Sequence, residues 1–128
     1  MKWLKAIVGW IVKQRKKNKP ISISLTSTGF NLLQRGEFDI FVSWDQISKI
    51  TAYKTDEWTT DLVCHDLFLR NHPCQIVFVH EDMVGYEAFA DTLANEFPGF
   101  YKDWRQVVIL PPFERNETVL WDRKQSEE

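Results

Sequence analysis

Cysteine is scarce in this chain: Cys64 and Cys74 are the two among 128 residues. Two thiols build no disulfide framework, and a single domain of this length can bury enough apolar surface without one. They fit a reducing compartment, so a cytoplasmic location is expected. Neither thiol has neighbouring basic residues in sequence of the kind that would stabilise a reactive thiolate. Glycine is sparse too, at positions 9, 29, 36, 85 and 99. Scattered in this way, the glycines assemble no phosphate-cradling loop. Histidine is confined to His65, His72 and His80. With the cysteines these make the nearest approach to a metal cluster. Zinc, however, needs paired ligands at close, regular spacing, and the neighbours Cys64 and His65 should point to opposite faces of a strand. No metal or other cofactor is expected. No catalytic signature occurs anywhere, so the chain does not read as an enzyme. No repeat or low-complexity segment is present either.

Acid is missing from the first nineteen residues. They hold Lys2, Lys5, Lys13, Arg15, Lys16, Lys17 and Lys19, a charge of +7. The other 9 basic residues face all 18 acids, which leaves residues 20–128 at −9. Charge divided like this speaks to partners rather than to fold. Residues 1–19 are therefore set apart as a basic N-terminal segment, and residues 20–128 as the folded domain. A long apolar run is also missing. Residues 3–12 are apolar but for Lys5 and Gly9, about half the length a spanning helix needs. A cleaved leader is not expected, because Lys13 to Lys17 stands where small residues should mark the cleavage site. As a helix, the segment would align Lys2, Lys5, Gly9, Lys13 and Lys16 on one narrow stripe. Trp3, Leu4, Ile7, Val8, Trp10 and Ile11 would fill the other side. Such a basic amphipathic helix suits an anionic membrane surface, with Trp3 and Trp10 at the acyl boundary and Lys13, Arg15, Lys16, Lys17 and Lys19 on the headgroups. It could equally fold back on the domain's own sheet, since so apolar a segment needs a cover.

From Pro20 onward the pattern is β-type. Ile21, Ile23 and Leu25 alternate with polar residues, and Ser27-Thr28-Gly29 turns the chain into Phe30–Gln34. Arg35-Gly36-Glu37 turns it again into Phe38–Val42. Short strands with regular turn signals predict an antiparallel meander. The chain then bends at Trp44-Asp45-Gln46, and a further strand carries Ile47, Ile50, Ala52 and Tyr53. Lys54 to Asp61 reads as a polar loop holding Trp58. Leu62–Leu69 and Cys74–His80 read as a hairpin across Arg70 to Pro73. Glu81-Asp82 gives acidic N-terminal character to a helix on which Tyr86, Phe89, Ala90, Leu93 and Phe97 recur, ended by Pro98-Gly99. Val107 to Leu110 reads as a short strand or as the apolar turn of a second helix. Thr118 to Trp121 adds a small apolar knot.

The corner, a strand followed by W-x-x-I-x-x-I at Trp44, Ile47 and Ile50 and then a second strand, resembles bacterial pleckstrin-homology-like (PH-like) domains. The longer string through Ala52, Tyr53, Lys54, Asp56 and Asp61, with Pro111 and Phe113 beyond, is similar to small bacterial proteins of which some resemble toxin-neutralising immunity proteins. The likeness spans roughly residues 30–121. It implies an α+β fold, a bent antiparallel sheet closed by a C-terminal helix, preceded here by the short amphipathic N-terminal helix. It also implies a binding role, since that fold serves lipid, peptide and protein ligands alike.

On this reading the protein is a non-enzymatic binding module, neutralising a basic protein partner through an acidic face. Asp56, Glu57 and Asp61 around Trp58, beside Lys54, supply the expected contact: opposite charge steers the partner and the aromatic anchors it. The alternative is a peripheral membrane protein held at the inner face of the membrane by residues 1–19. Nucleic acid is not an expected partner, because the body is too acidic to neutralise phosphates.

Overall fold

The computed structural model describes residues 20–57, 60–109 and 116–126. Chain order is β1 (Ser22–Leu25), β2 (Gly29–Gln34), β3 (Phe38–Ser43), a 3-10 turn (Trp44–Gln46), β4 (Ile47–Glu57), β5 (Thr60–Leu69) and β6 (His72–His80), then α1 (Tyr86–Glu96), α2 (Trp104–Ile109), β7 (Thr118–Asp122) and α3 (Arg123–Ser126). The fold is α+β. Where one bent sheet is expected, two antiparallel sheets form: β1-β2-β3 and β6-β5-β4-β7. The amphipathic helix expected over residues 1–19 lies outside the described residues. No helix among the described residues is long and apolar enough to cross a membrane.

The corner at Trp44 divides the sheets because it stops the ladder and its backbone is bonded to both sides. Ser43 Oγ accepts from the amide of Asp45, and Gln46 Oε1 accepts from the amide of Ser43, a reciprocal cap of the turn. The amide of Trp44 bonds the Thr28 carbonyl, and that of Arg70 bonds the Gln46 carbonyl, so both sheets hold the turn. Trp44, Ile47 and Ile50 are all buried, as their spacing predicts. The Trp44 ring meets Phe30 at 5.3 Å between centroids and Phe97 edge-on at 5.9 Å. Phe30 in turn meets Phe89 at 5.0 Å. One aromatic cluster thus ties the first sheet to α1.

The helix starts later than its acidic lead-in suggests. Glu81 does not enter it; its backbone amide bonds the Val63 carbonyl and its carboxylate accepts from the Val63 amide, extending the edge of the larger sheet. Gly85 then takes φ +87° and lets the helix begin at Tyr86. From there Tyr86, Phe89, Ala90 and Leu93 form its buried face, and Phe97 beyond its end is buried too. Two stretches of β-pattern are longer or clearer than expected. Lys54–Glu57 and Thr60–Asp61, read from sequence as polar loop, belong to β4 and β5. The apolar knot at residues 118–121 is β7, an edge strand on β4. Val107 and its neighbours form the short helix α2.

Candidate functional site

β4 and β5 are the longest strands, with 11 and 10 residues, and they run the full height of the larger sheet. Their ladder continues to Asp56↔Asp61 and Glu57↔Thr60. β7 supports β4 only over Lys49–Ala52, and β6 supports β5 only from Cys64 onward. Among the described residues, the end of this hairpin therefore projects as a two-stranded tip. The sequence could not reveal the register: two aspartates stand directly opposite each other. Facing like charges destabilise an antiparallel pair.

The expected contact residues are only partly brought together. Asp56, Glu57 and Asp61 share the tip, by their backbone positions in the ladder. Trp58 lies outside the described residues, as do Trp3, Trp10, Lys13, Arg15, Lys16, Lys17 and Lys19. Lys54 does not join the tip's surface. It is 3% exposed, and its ammonium donates to the Ile109 carbonyl at 2.7 Å, which pins the end of α2 against β4. The apolar stem of a lysine buries readily when its amine finds an acceptor. The sequence offers no sign of this, because the acceptor is a backbone carbonyl 55 residues away.

At the opposite end of the same hairpin lies an open cleft of about 590 Å³ lined by Ser48, Lys49, Phe68, Arg70, Asp122, Arg123 and Lys124. Lys49 holds its ammonium 5.4 Å from the Phe68 ring centre. Arg70 pairs with Asp45 at 3.3 Å, and Arg123 donates to the Ile47 carbonyl while lying over Trp121. The two arginines thus serve the corner and the end of β7. The hairpin is charged oppositely at its two ends, acidic at the tip and basic at the base. Sequence reading missed this cleft because its residues come from three separate segments.

Between these ends is a sealed polar pair. His65 Nε2 lies 2.6 Å from the Tyr86 hydroxyl, and its Nδ1 lies 3.3 Å from the Thr51 carbonyl. A carbonyl only accepts, so Nδ1 carries the proton and Nε2 accepts from the tyrosine. Trp104 packs edge-on against the imidazole at 5.0 Å. Burial pushes the His65 pKa down to about 4, although the Thr51 carbonyl favours the charged form, and burial drives Tyr86 well above the ordinary phenol range. His65 is fully buried, and the neighbouring void of about 30 Å³ has room for about one water. The pair can hold α1 to the sheet; no substrate atom can reach it. Among the described residues no three histidines, cysteines or carboxylates could hold a metal ion. No family model matches this chain, and neither a curated protein nor a solved structure matches it.

Proposed function

We propose that this protein is a non-catalytic binding module of PH-like architecture that engages a basic protein partner through the β4–β5 tip. The single observation behind this reading is the register that sets Asp56 opposite Asp61 on the projecting end of the hairpin. A like-charge pair at that position costs stability, and a cation delivered by a partner would relieve it. Trp58, between the two strands in sequence, supplies the anchoring aromatic. The −9 charge of residues 20–128 adds long-range attraction. The setting is cytoplasmic and the role of immunity type, the neutralising of a basic protein by an acidic one. Lys54 is excluded from the contact set by its burial.

The test uses full-length chain immobilised in three forms: wild type, Asp56→Asn with Asp61→Asn, and Asp39→Asn with Glu96→Gln as an exposed control of equal charge. All three are exposed to one lysate, and the captured proteins are identified by mass. A basic protein held by wild type and by the control, and lost from the hairpin variant, is the expected result. Capture that ignores the hairpin substitution would defeat the assignment, and so would capture of nothing basic.

A further inference from the structure

The larger sheet carries buried residues on both faces, although only one face has a cover among the described residues. On the inner face stand Ile50, Ala52, Lys54, His65 and Leu67. Sheet β1-β2-β3, α1 and α2 all reach this side, through Phe30 on Phe89, Tyr86 on His65 and Ile109 on Lys54. The alternate residues point the other way. An antiparallel sheet with one solvated face shows buried and exposed residues in alternation. Here Thr51, Tyr53, Cys64, Phe78 and His80 on the outer face are buried as well, and Cys64 is at 0%. Farther along that face, Val119 on the edge strand β7 is 44% exposed. Cover is thus close over Thr51, Tyr53, Cys64, Phe78 and His80; it thins to half-burial at Asp66, Phe68 and Ile76 toward the open cleft, and it stops before β7.

We propose that residues 1–19 dock on this outer face, apolar side down. Chain length and connection support the choice of occupant. The other stretches outside the description are residues 58–59, 110–115 and 127–128, and only the first nineteen residues are long enough to cover a sheet face. The described residues on either side of 110–115 lie away from the β6 edge: Ile109 meets Lys54 on the inner face, and Thr118 pairs with Ala52 on the edge strand β7. Phe78 and His80 lie on the opposite edge strand, β6. Residues 1–19, by contrast, lead into β1, whose first residues bond the chain shortly after β6 ends. The Val84 amide bonds the Ile21 carbonyl and the Ile23 amide bonds the Val84 carbonyl, four residues beyond the last residue of β6. Size agrees as well. Ten helical residues span about 15 Å, and four strands span about 14 Å between the outermost axes. The apolar stretch 3–12 is thus long enough to cross the covered strands β6, β5 and β4. Docked, the segment leaves its lysine stripe in water and withholds Trp3 and Trp10 from any bilayer, so docking and membrane binding exclude each other.

Cys64 reports on the docking, because its thiol sits at the centre of the covered patch. In full-length chain carrying Cys74→Ser, Cys64 should react with a small thiol reagent at least about 100-fold more slowly than in denaturant, as a site that opens rarely does. Ile7→Asp with Trp10→Asp should release that protection while far-ultraviolet circular dichroism keeps the sheet signal. Lys2→Gln with Lys5→Gln, on the stripe, should leave it in place. Fast labelling of the wild type, or protection that survives Ile7→Asp with Trp10→Asp, would overturn the proposal. So would protection that rises with protein concentration, since a second copy would then be the cover. If the aspartate variant fails to fold, a nitroxide on Val119→Cys, at the open rim of the same face, decides the matter. It should broaden amide signals of residues 1–19 in the folded chain, and their staying sharp would sink the idea.

Discussion

At the scale of single residues, burial decides what each polar group can do. His65 is neutral in the folded protein because the core denies its charge solvent. The unfolded chain takes up that proton near pH 6.5, whereas the folded chain resists it down to about 4. Stability from this source is therefore complete above pH 6.5 and is lost as pH falls toward 4, by about 3 kcal/mol in all. His65→Gln keeps an amide in the site and removes the titration. Urea midpoints of the two proteins at several pH values should converge across that window, and parallel curves would show that His65 does not titrate there. Lys54 gives a second residue-scale prediction. Lys54→Met keeps the stem and removes the donor to Ile109, leaving a carbonyl short of a partner. A loss of about 1–3 kcal/mol is expected by denaturant unfolding. Leu93, fully buried on α1, should cost about 2–5 kcal/mol as alanine. These three changes test the core and leave Asp56 and Asp61 untouched.

At the scale of elements, the β4–β5 hairpin and the Gly85 junction carry the interest. Asp56→Asn with Asp61→Asn removes the facing like charges. It should raise stability by about 0.2–1 kcal/mol while weakening capture of the proposed basic partner. Opposite signs for stability and binding are the mark of a site kept for function. Loss of both together would mean that the tip is structural. Gly85 is the hinge between the β1 contact and α1. An alanine there would be strained at φ +87°, and its Cβ would run into the Ile23 carbonyl. Gly85→Ala should therefore lower the thermal midpoint and loosen the bridge between Ser22 and Val84. Faster amide exchange at Ile23 and Val84 would show it.

At the scale of the whole molecule, charge is divided between a +7 segment and a −9 body. Attraction between exposed parts of opposite charge weakens when salt shortens the Debye length to about 10 Å at 0.1 M. The proposed apolar docking of residues 3–12 should resist salt far better. On that proposal, vesicles of anionic lipid would compete for the same apolar side. They should speed the labelling of Cys64 at low salt and have little effect at high salt, while neutral vesicles should leave it unchanged. Labelling indifferent to anionic vesicles would separate the docked segment from any membrane role. The basic partner proposed for the β4–β5 tip should, by contrast, lose mainly its association rate as salt rises.

Local periodicity is enough to determine much of this protein. The period-two runs from Ile21 to Val42, the bend at Trp44 and the helical recurrence of Tyr86, Phe89, Leu93 and Phe97 all follow from which side chains must leave water together. The charge division and the scarcity of cysteine and glycine are likewise properties of the chain alone. Tertiary structure decided the rest, because it depends on residues far apart in sequence. Polar residues 54–57 and 60–61 hide a strand pair, since a ladder partner can extend strands that local composition would leave as loop. Lys54 turns inward because Ile109 offers a carbonyl 55 positions later. His65 is locked by Tyr86 and Trp104, which arrive on two different helices. The two sheets part at Trp44 because its turn bonds to Thr28 and to Arg70, one on either side. A sequence records which groups must be buried; which partners meet them there is settled when the sheets close over one core.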